Sequence, residues 1–288
     1  MCGRNHKVIG EKQMIFVKNI SYQFKDSKNK LIDNLSLKIN DGEILGIIGE
    51  TGSGKSTLLK IISKLESPSS GEVIFKNKQK NNSDYYKIGI LFQNPEKQFF
   101  CKTIYDDLAY TLRIQKISEQ KIKSKIDSVT KLLNINSNLL KKSHFTLSGG
   151  EKRKCALACI LMTEPDVLIL DEFTSGLDAK ESTHIIKFLK AYHKNTKNVI
   201  IFVSHIMEQV AYLSDKILIL EKNVNYLTDT PENIFKNILC LNKTNLDIPQ
   251  IPKIIAYVNR HGYNINTYTL DPLEAFKRIT DAIIKKET

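Results

Sequence analysis

The chain lacks a long apolar run, both in its interior and at its start. No stretch of the 288 residues approaches the ~18 apolar residues that a membrane-spanning helix needs. Residues 1–13 are polar and charged, so we expect a polar N-terminal tail and no signal peptide. A hydrophobic fraction of 41% is ordinary for a globular protein and predicts one large domain, with or without a smaller appendage.

Cysteine is scarce, and its arrangement argues against a disulfide framework. The five cysteines are Cys2, Cys101, Cys155, Cys159 and Cys240, an odd number without a C-x-x-C pair. This pattern favours reduced thiols in a cytosolic protein. Cys155 and Cys159 are one helical turn apart, but no His or acidic residue with ligand spacing accompanies them. We interpret both as small buried side chains rather than metal ligands.

Arginine is rare although the chain is strongly basic. The net charge is +12, yet only five of the 43 basic residues are arginine. The lysines form no long block, and their densest stretches are 76–80 and 121–125. We interpret the charge as a solvated lysine surface, which is favourable beside an anionic membrane face. Charge alone does not decide the partner; no nucleic-acid partner is expected.

The most informative segment that is present is a glycine-rich loop. It follows the apolar residues 44–48, which predict a buried strand, and precedes residues 58–62, which have helical character. Backbone N–H groups of such a loop, with the helix N-terminus behind them, bind phosphates; Lys55 would reach the β- and γ-phosphates, and Ser56 would bind Mg2+. The sequence thus predicts binding of a nucleoside triphosphate. The loop matches G-x-x-x-x-G-K-[ST] and consists of Gly49, Glu50, Thr51, Gly52, Ser53, Gly54, Lys55 and Ser56, with Thr57 after it.

A later apolar strand ends in two carboxylates. Residues 167–170 are apolar, and Asp171 and Glu172 follow them directly. A buried strand that delivers Asp171 at its carboxyl end would place an oxygen ligand near a Mg2+ ion held by Ser56. Glu172 would polarise a water for attack on the γ-phosphate. An apolar strand that ends in an acid is common, but downstream of a phosphate loop it predicts a hydrolytic site.

A second loop of small residues opens another helix. Ser148, Gly149, Gly150 and Glu151 begin a helical pattern over about 149–162. They are typical of a helix N-cap and also of a second anion site. One chain needs a single triphosphate loop, so the two loops can serve one nucleotide if they come from two copies arranged head to tail. In that arrangement Ser148, Gly149 and Gly150 bind the partner's nucleotide.

The rest of the pattern alternates strands with helices. This order predicts an α/β fold with a largely parallel sheet and a helical insert between Phe92 and Pro165. The sheet pattern ends after about residue 221, and a mixed tail runs to residue 288. Further strands are predicted at 15–17, 20–24, 35–39, 71–75, 88–92 and 199–203, and further helices within 103–144, near 182–192 and from Thr230-Pro231.

Three motifs, at 49–56, 147–151 and 168–172, resemble in order and spacing those of the ATPase subunit of an ABC transporter. The resemblance covers about residues 14–225, the expected nucleotide-binding domain. It implies a P-loop NTPase fold with a mixed, largely parallel sheet and a helical subdomain at about 94–165. Residues 226–288 would form a small C-terminal helical extension, a possible dimerisation element. The implied cofactors are ATP and Mg2+.

The resemblance also implies roles for single residues. Gln93 matches the glutamine that contacts Mg2+ or the attacking water, and His205 matches the histidine that contacts the γ-phosphate. Asp178 ends the loop that crosses the dimer interface. Phe24 falls where the family stacks an aromatic ring on adenine, with Tyr22 as the alternative. Both aromatics could equally be core residues.

Two positions depart from the family pattern. Phe173 stands where proline usually follows the catalytic glutamate, which should alter loop stiffness more than chemistry. Glu151 stands where glutamine is more frequent, and it is not expected to touch phosphate. Every position expected to carry hydrolysis is filled: Glu172 would promote attack, while Lys55 and His205 would stabilise developing charge. The resemblance therefore implies a working ATPase.

Finer motifs resemble the energy-coupling factor type of ABC importer. Residues 92–99 are similar to the F-Q-N-P-x-x-Q pattern of that group, and residues 103–110 to its T-h-x-D-D-h-A-h pattern, where h is apolar. This type implies a second ATPase subunit, a transmembrane scaffold and a substrate-binding membrane subunit, with the chain at the cytoplasmic face of the cell membrane. Residues 251–262 are similar to the C-terminal segment that helps pair the subunits.

Several alternatives stay open from sequence. Thr51 and Gly176 favour the second of the paired ATPases and Asn94-Pro95 the first, with a heterodimer preferred. The ATPase of a conventional importer or exporter, or of a cobalt or nickel uptake system, would share the main motifs. A soluble ABC ATPase acting on nucleic acid or ribosomes often has two nucleotide domains or a long insert, which this sequence lacks. Glu172 and His205 disfavour a purely regulatory sensor. Vitamin or transition-metal uptake is a family-level expectation.

Overall fold

The computed structural model describes residues 14–76, 86–221, 226–236, 247–265 and 268–287. The predicted polar tail 1–13, most of the lysine stretch 76–80, and Cys2 and Cys240 lie outside these ranges. Within them, the three cysteines are free thiols. The described helices include none that is both long and apolar enough to cross a bilayer.

Strands and helices alternate through most of the chain. The strands are β1 (Met14–Tyr22), β2 (Ile32–Asn40), β3 (Ile44–Gly49), β4 (Ser70–Lys76), β5 (Ile88–Leu91), β6 (Val167–Asp171), β7 (Val199–Val203), β8 (Lys216–Leu220) and β9 (Tyr226–Asp229). The helices are α1 (Lys55–Ile62), α2 (Ile104–Ile114), α3 (Glu119–Leu132), α4 (Gly149–Met162), α5 (Ala179–Thr196), α6 (Met207–Leu213), α7 (Pro231–Lys236), α8 (Gln250–Arg260) and α9 (Pro272–Glu287).

The strands form two sheets. A three-stranded antiparallel sheet has the order β2-β1-β4, and the main sheet has the order β5-β6-β7-β3-β8-β9. Pairs in the main sheet are parallel except β8 with β9. Strands β3, β6 and β7 are buried along their whole length, which explains their nearly continuous apolar sequences. The predicted α/β fold with a mixed, largely parallel sheet is confirmed.

Helices α2, α3 and α4 form the insert between β5 and β6. Leu108 and Leu112 of α2, Ile122 and Ile126 of α3, and Leu157 of α4 belong to one buried cluster. Leu108 and Leu112 are four residues apart, as are Ile122 and Ile126, so each pair lies on one face of α2 or α3, which is why the sequence predicts helices there. Strands β3, β5, β6 and β7 are parallel, so the loops that follow their carboxyl ends lie on the same side of the sheet, at the carboxyl-terminal ends of the strands.

Two boundaries differ from the sequence prediction. The sequence predicts that the sheet ends after about residue 221, but β9 lies beyond that point and pairs with β8. Its residues are half exposed at the sheet edge, so it lacks the apolar run of the interior strands. The predicted strand alternation through Phe24 is also wrong, because β1 ends at Tyr22. A hydrogen bond from Leu31 N to Tyr22 O, 2.8 Å long, closes a loop there.

Helices α8 and α9 form a small cluster of their own around Ile255, Ile265 and Ala275. A hydrogen bond of 3.2 Å from Gln250 N to Glu208 Oε1 connects α8 to α6. The C-terminal region is therefore attached to the helix that follows β7.

Candidate active site

The loop between β3 and α1, residues 49–56, follows a path that requires glycine. Gly49 has φ +154°, and a Cβ there would lie 2.2 Å from the carbonyl oxygen of Leu220. Gly54, the N-cap of α1, has φ +98°, and a Cβ there would lie 3.1 Å from Leu31 Cγ. The first turn of α1 contains no acidic residue, and its N-cap has no side chain to cap it. A helix start of this kind is suited to an anion.

Lys55 is folded into this phosphate loop. Its Nζ donates hydrogen bonds to the carbonyl oxygens of Gly49 and Glu50, both 2.8 Å long. Burial lowers the pKa of Lys55, and the nearby carboxylates oppose this effect. Ser53 Oγ is buried without a hydrogen-bond partner. A buried amine and an unpaired hydroxyl in one loop fit the oxygens of a phosphate, which accept hydrogen bonds from both.

Ser56 and Asp171 bring two oxygen donors together. The Ser56 side chain, near the start of α1, forms a hydrogen bond with the Asp171 carboxylate at the end of β6. Burial raises the pKa of Asp171, and the hydrogen bond from Ser56 partly offsets this. The part of the chain that is described holds no cluster of three or more His, Cys, Asp or Glu side chains suited to a metal. One hydroxyl and one carboxylate fit Mg2+, which takes few protein ligands and fills its other positions with water or phosphate oxygens.

The Glu172 carboxylate is held by residues from two other loops. It accepts a hydrogen bond of 3.0 Å from Gln93 Nε2 and lies 2.9 Å from His205 Nε2. Glu172 has φ +48°, a left-handed conformation that costs a non-glycine residue about 1–2 kcal/mol. Phe173, which replaces the usual proline, is buried and packs edge-on against Phe202 with ring centroids 5.7 Å apart. The backbone after β6 is thereby anchored while the carboxylate contacts Gln93 and His205.

Arg153 of α4 contacts the same loops and was not predicted from sequence. It is 7% exposed, and its guanidinium donates hydrogen bonds to the carbonyl oxygens of Glu172 and Gln93, the latter 2.9 Å long. Burial lowers the pKa of Arg153. Its partners are 19 and 60 residues away along the chain, so no local pattern predicts the contact. The signal available in the sequence was an arginine between Lys152 and Lys154, near the start of a helix whose later residues are apolar.

Gln209 of α6 is a second residue that sequence analysis missed. Its Oε1 accepts hydrogen bonds from Thr174 Oγ1 at 2.8 Å and from Ser204 Oγ at 3.1 Å. All three side chains are buried. Because Thr174 follows β6 and Ser204 immediately precedes His205, this amide joins the loop after β6 to the loop after β7.

The loop before α4 carries a complete helix cap. Ser148 Oγ accepts a hydrogen bond of 3.3 Å from Glu151 N, and Glu151 Oε2 accepts one of 2.8 Å from Ser148 N. These bonds to Ser148 lower the pKa of Glu151. Ser148 and Gly149 are exposed, and a Cβ on Gly149 would meet nothing within 4 Å. The Glu151 carboxylate is therefore committed to the cap, while backbone at the helix start stays open to a ligand.

Asp178 and the loop before it lie against this cap. A Cβ on Gly150 would lie 3.0 Å from Leu177 Cδ2. Asp178 Oδ1 accepts a hydrogen bond of 2.7 Å from Glu181 N and so caps α5. Glu181 also pairs with Lys154 of α4. Ser148–Gly150 and Asp178 thus form one group, which is distinct from the group around the phosphate loop.

Phe24 lies on the loop between β1 and β2. It is 52% exposed, and its ring packs edge-on against Tyr22 with centroids 5.3 Å apart. The Tyr22 hydroxyl donates a hydrogen bond of 3.3 Å to Glu66 Oε1, and its ring packs against the core. Leu31, at the end of the same loop, packs against Gly54. Of the two aromatic residues, Phe24 is the one with an open ring on a loop that borders the phosphate loop.

Known proteins resemble the chain in these same segments. The family model described as ABC transporter matches residues 32–175. This span includes the phosphate loop, Gln93, Asp171 and Glu172, whereas His205 lies beyond it.

Relatives match most of the chain. The energy-coupling factor transporter ATP-binding protein EcfA2 of Caldanaerobacter subterraneus is 35% identical over 274 residues, which cover 92% of this chain and 96% of that protein. EcfA2 of Clostridium acetobutylicum is 36% identical over 262 residues, covering 88% of this chain and 92% of that protein.

Solved structures share the fold. The structure of cbiO1 from Clostridium perfringens, part of the ABC transporter complex cbiONQ, has a TM-score of 0.69 at 30% identity and covers 85% of this chain and 100% of that chain. The dimeric structure of MJ0796, a bacterial ABC transporter cassette, has a TM-score of 0.68 at 25% identity and covers 75% of this chain and 98% of that chain.

Proposed function

The chain belongs to the ATP-binding subunits of ABC transporters of the energy-coupling factor type, and we propose that it drives substrate uptake through a membrane scaffold protein. It binds ATP and is an ATPase whose reaction is coupled to transport. The observation that carries the proposal is the Glu172 carboxylate, held by Gln93 and His205 at the sheet edge that also carries the phosphate loop. Phosphoryl transfer to water needs an anion loop and a positioned carboxylate of this kind.

We propose a division of labour among the site residues. Residues 49–57 bind the phosphates through backbone N–H groups. The Lys55 amine, which donates to the carbonyl oxygens of Gly49 and Glu50 in this structure, donates to phosphate oxygens when ATP is bound. Ser56 and Asp171, with Gln93, would hold Mg2+, which when bound neutralises charge on the β- and γ-phosphates. Glu172 accepts a proton from the attacking water. His205 and Lys55 stabilise the charge that develops on the γ-phosphate.

The exposed group at Ser148–Gly150 and Asp178 completes the site of a second subunit in this proposal. A head-to-tail pair would bring each such group to the phosphate loop of the other subunit. The partner is a second ABC ATPase, either another copy or a close relative. Helices α8 and α9, which expose Leu273 at 80% and Phe276 at 71%, are proposed as a further pairing element.

Two groups of aromatic side chains on the helical insert are the proposed docking surface for the scaffold. Phe145 and Phe100 are 81% and 64% exposed. Phe145 packs on His144 with ring centroids 4.0 Å apart, and His144 stacks on Phe99 at 5.3 Å. Phe100 packs edge-on against the exposed Tyr110 at 4.6 Å. Large exposed aromatic rings in mutual contact are typical of protein interfaces.

Replacing Phe100 and Phe145 by serine is expected to release the subunit from membranes that contain its transporter. Aromatic anchors carry much of the energy of an interface. Substitutions at exposed positions usually change folding stability by no more than about 0.5 kcal/mol, so basal ATP hydrolysis should persist. Sedimentation with membranes and basal ATP hydrolysis are the two measurements. Tyr212→Ser, at another exposed aromatic residue, is the matched control. Unchanged sedimentation would contradict this docking surface, and recovery with ribosomes or nucleic acid would favour a soluble ABC ATPase instead.

Replacing Phe24 by alanine is expected to weaken ATP binding by about 5–150-fold, because stacking on a base contributes about 1–3 kcal/mol. Tyr22→Phe keeps its ring and loses only the hydroxyl, so it should bind ATP like the unchanged protein. Equilibrium titration with ATP compares the two variants. Equal affinity of Phe24→Ala and the unchanged protein would remove Phe24 from the adenine site.

We propose a peripheral position at the cytoplasmic face of the cell membrane. The cargo contacts the membrane subunits and not the ATPase, so the proposed substrate class, a vitamin or a transition metal ion, rests on the transporter type. The basic surface, with a net charge of +12, suits the anionic face of such a membrane.

A further inference from the structure

Arg153 lies where α4 meets the hydrolytic residues. Its guanidinium binds the main-chain carbonyls of Glu172 and Gln93, which come from the loops after β6 and β5. The same helix begins at Ser148, the residue that completes the partner's site in the proposed function. One helix thus carries at its start the loop that is proposed to engage the partner's nucleotide. Little more than one turn later it carries an arginine bound to the catalytic loops of its own subunit.

The contacts of Arg153 fit a role in positioning. The side chain is 7% exposed, its Nε has no hydrogen-bond partner, and the two groups it binds are neutral carbonyls. Burying a guanidinium without a bonded carboxylate is costly, and an apolar side chain would fill the same space without that cost. A buried guanidinium at this position is explained if its function is to hold the carbonyl groups of Glu172 and Gln93 in place.

The carbonyl that Arg153 binds belongs to a strained residue. Glu172 has φ +48°, and a left-handed conformation at a non-glycine residue persists only where its surroundings over-determine it. Arg153 is one of these determinants, and a hydrogen bond of 3.0 Å from Ser175 N to the same carbonyl is another. The direction of the Glu172 carboxylate therefore depends on where α4 holds its arginine.

We propose that Arg153 is a positioning residue that couples movement of α4 to the geometry of Glu172 and Gln93. The proposal rests on the proposed composite sites of a subunit pair. When a nucleotide of the partner engages Ser148, α4 moves, and the guanidinium transmits this movement to the carboxylate of the other site. Arg153 touches neither nucleotide, so it acts on the rate of hydrolysis and not on affinity.

The test separates kcat from KM in the paired protein. Arg153→Ala is expected to lower kcat by about 10–100-fold, because small displacements of reacting groups cost up to about 10²-fold, while KM and ATP affinity change by less than about threefold. Arg153→Lys keeps the charge but cannot bind two carbonyls as a planar fork, so it should recover only part of the rate. Added guanidinium should partly restore Arg153→Ala.

A double variant adds a measure that a merely structural role would not change. If Arg153 acts by placing Glu172 and Gln93, the fold-decrease in kcat of the double variant Gln93→Ala/Arg153→Ala should be smaller than the product of the fold-decreases of the two single variants. Lys152→Ala, the neighbouring residue on α4, is the matched control and should keep its kcat.

Three outcomes would overturn the proposal: an unchanged kcat in Arg153→Ala, a raised KM with unchanged kcat, or an equal loss in Lys152→Ala. If Arg153→Ala fails to fold, kcat and KM are measured for Arg153→Gln and Arg153→Lys instead, and the same comparison of the two constants decides the question. Glu172→Gln distinguishes the two proposals. If Glu172→Gln abolishes turnover but the Arg153 variants keep it, only the positioning role of Arg153 is wrong. If Glu172→Gln keeps turnover, the assignment of Glu172 as the hydrolytic residue is wrong.

Discussion

Glu172→Gln is expected to reduce ATP turnover by about 10²–10⁴-fold, the range that general base catalysis contributes. Glutamine has the same shape and can still accept a hydrogen bond from Gln93, but it cannot take a proton from water. The phosphate loop and the Ser148 cap are unchanged by this substitution, so ATP should still bring two subunits together. Phosphate release measures turnover, and size-exclusion chromatography with and without ATP measures pairing.

The control for this prediction is another carboxylate that lies outside the site. Glu232 forms a surface ion pair with Lys236 and is 56% exposed as a side chain, so Glu232→Gln should leave both measurements unchanged. Turnover of Glu172→Gln close to that of the unchanged protein would show that another group activates the water. Loss of pairing together with turnover would show that Glu172 has a structural role.

Lys55→Ala is expected to weaken ATP binding by about 10–150-fold, because a hydrogen bond to a charged group contributes about 1.5–3 kcal/mol. The fold should survive. Burial lowers the pKa of Lys55, so the charged amine carries a desolvation cost in the folded chain. Removing that cost offsets the loss of its hydrogen bonds to the carbonyls of Gly49 and Glu50. Calorimetric titration with ATP measures affinity. Thermal unfolding gives a second readout, because a ligand that binds only the folded state raises the unfolding temperature.

Lys60→Ala, at an exposed lysine of α1, is the matched control and should bind ATP normally. The unchanged protein and Lys60→Ala should both unfold at a higher temperature with ATP, whereas Lys55→Ala should show little change. An ATP affinity of Lys55→Ala equal to that of the control would remove Lys55 from the binding site and restrict it to the chemical step.

The fold and the core of the site could be predicted because their signals are local. The phosphate loop is one contiguous run in which each glycine meets a steric need, as the 2.2 Å approach of a Cβ at Gly49 to the Leu220 carbonyl shows. Asp171 and Glu172 follow a strand whose continuous burial is visible as four apolar residues. The order of such segments was enough to predict the family and the largely parallel sheet, and both are confirmed.

Other features left no local signal. β9 has the half-exposed composition of an edge strand and was missed, because sheet edges need not be apolar. The position of Phe24 depended on where β1 ends, which a hydrogen bond from Leu31 decides. Arg153 and Gln209 join loops that lie far apart along the chain, up to 60 residues for Arg153.

The amino-acid sequence alone determined which groups are available for the proposed chemistry: the glycine-rich loop 49–56 and the carboxylates of Asp171 and Glu172. Those groups sit within short contiguous motifs, where local geometry and residue type are sufficient. Only the tertiary structure decided how they are held. Gln93 and His205 contact Glu172 because parallel strands carry their separate loops to the same end of the sheet, and Arg153 reaches these loops from α4. The spacing of these residues along the chain does not predict their contacts with Glu172.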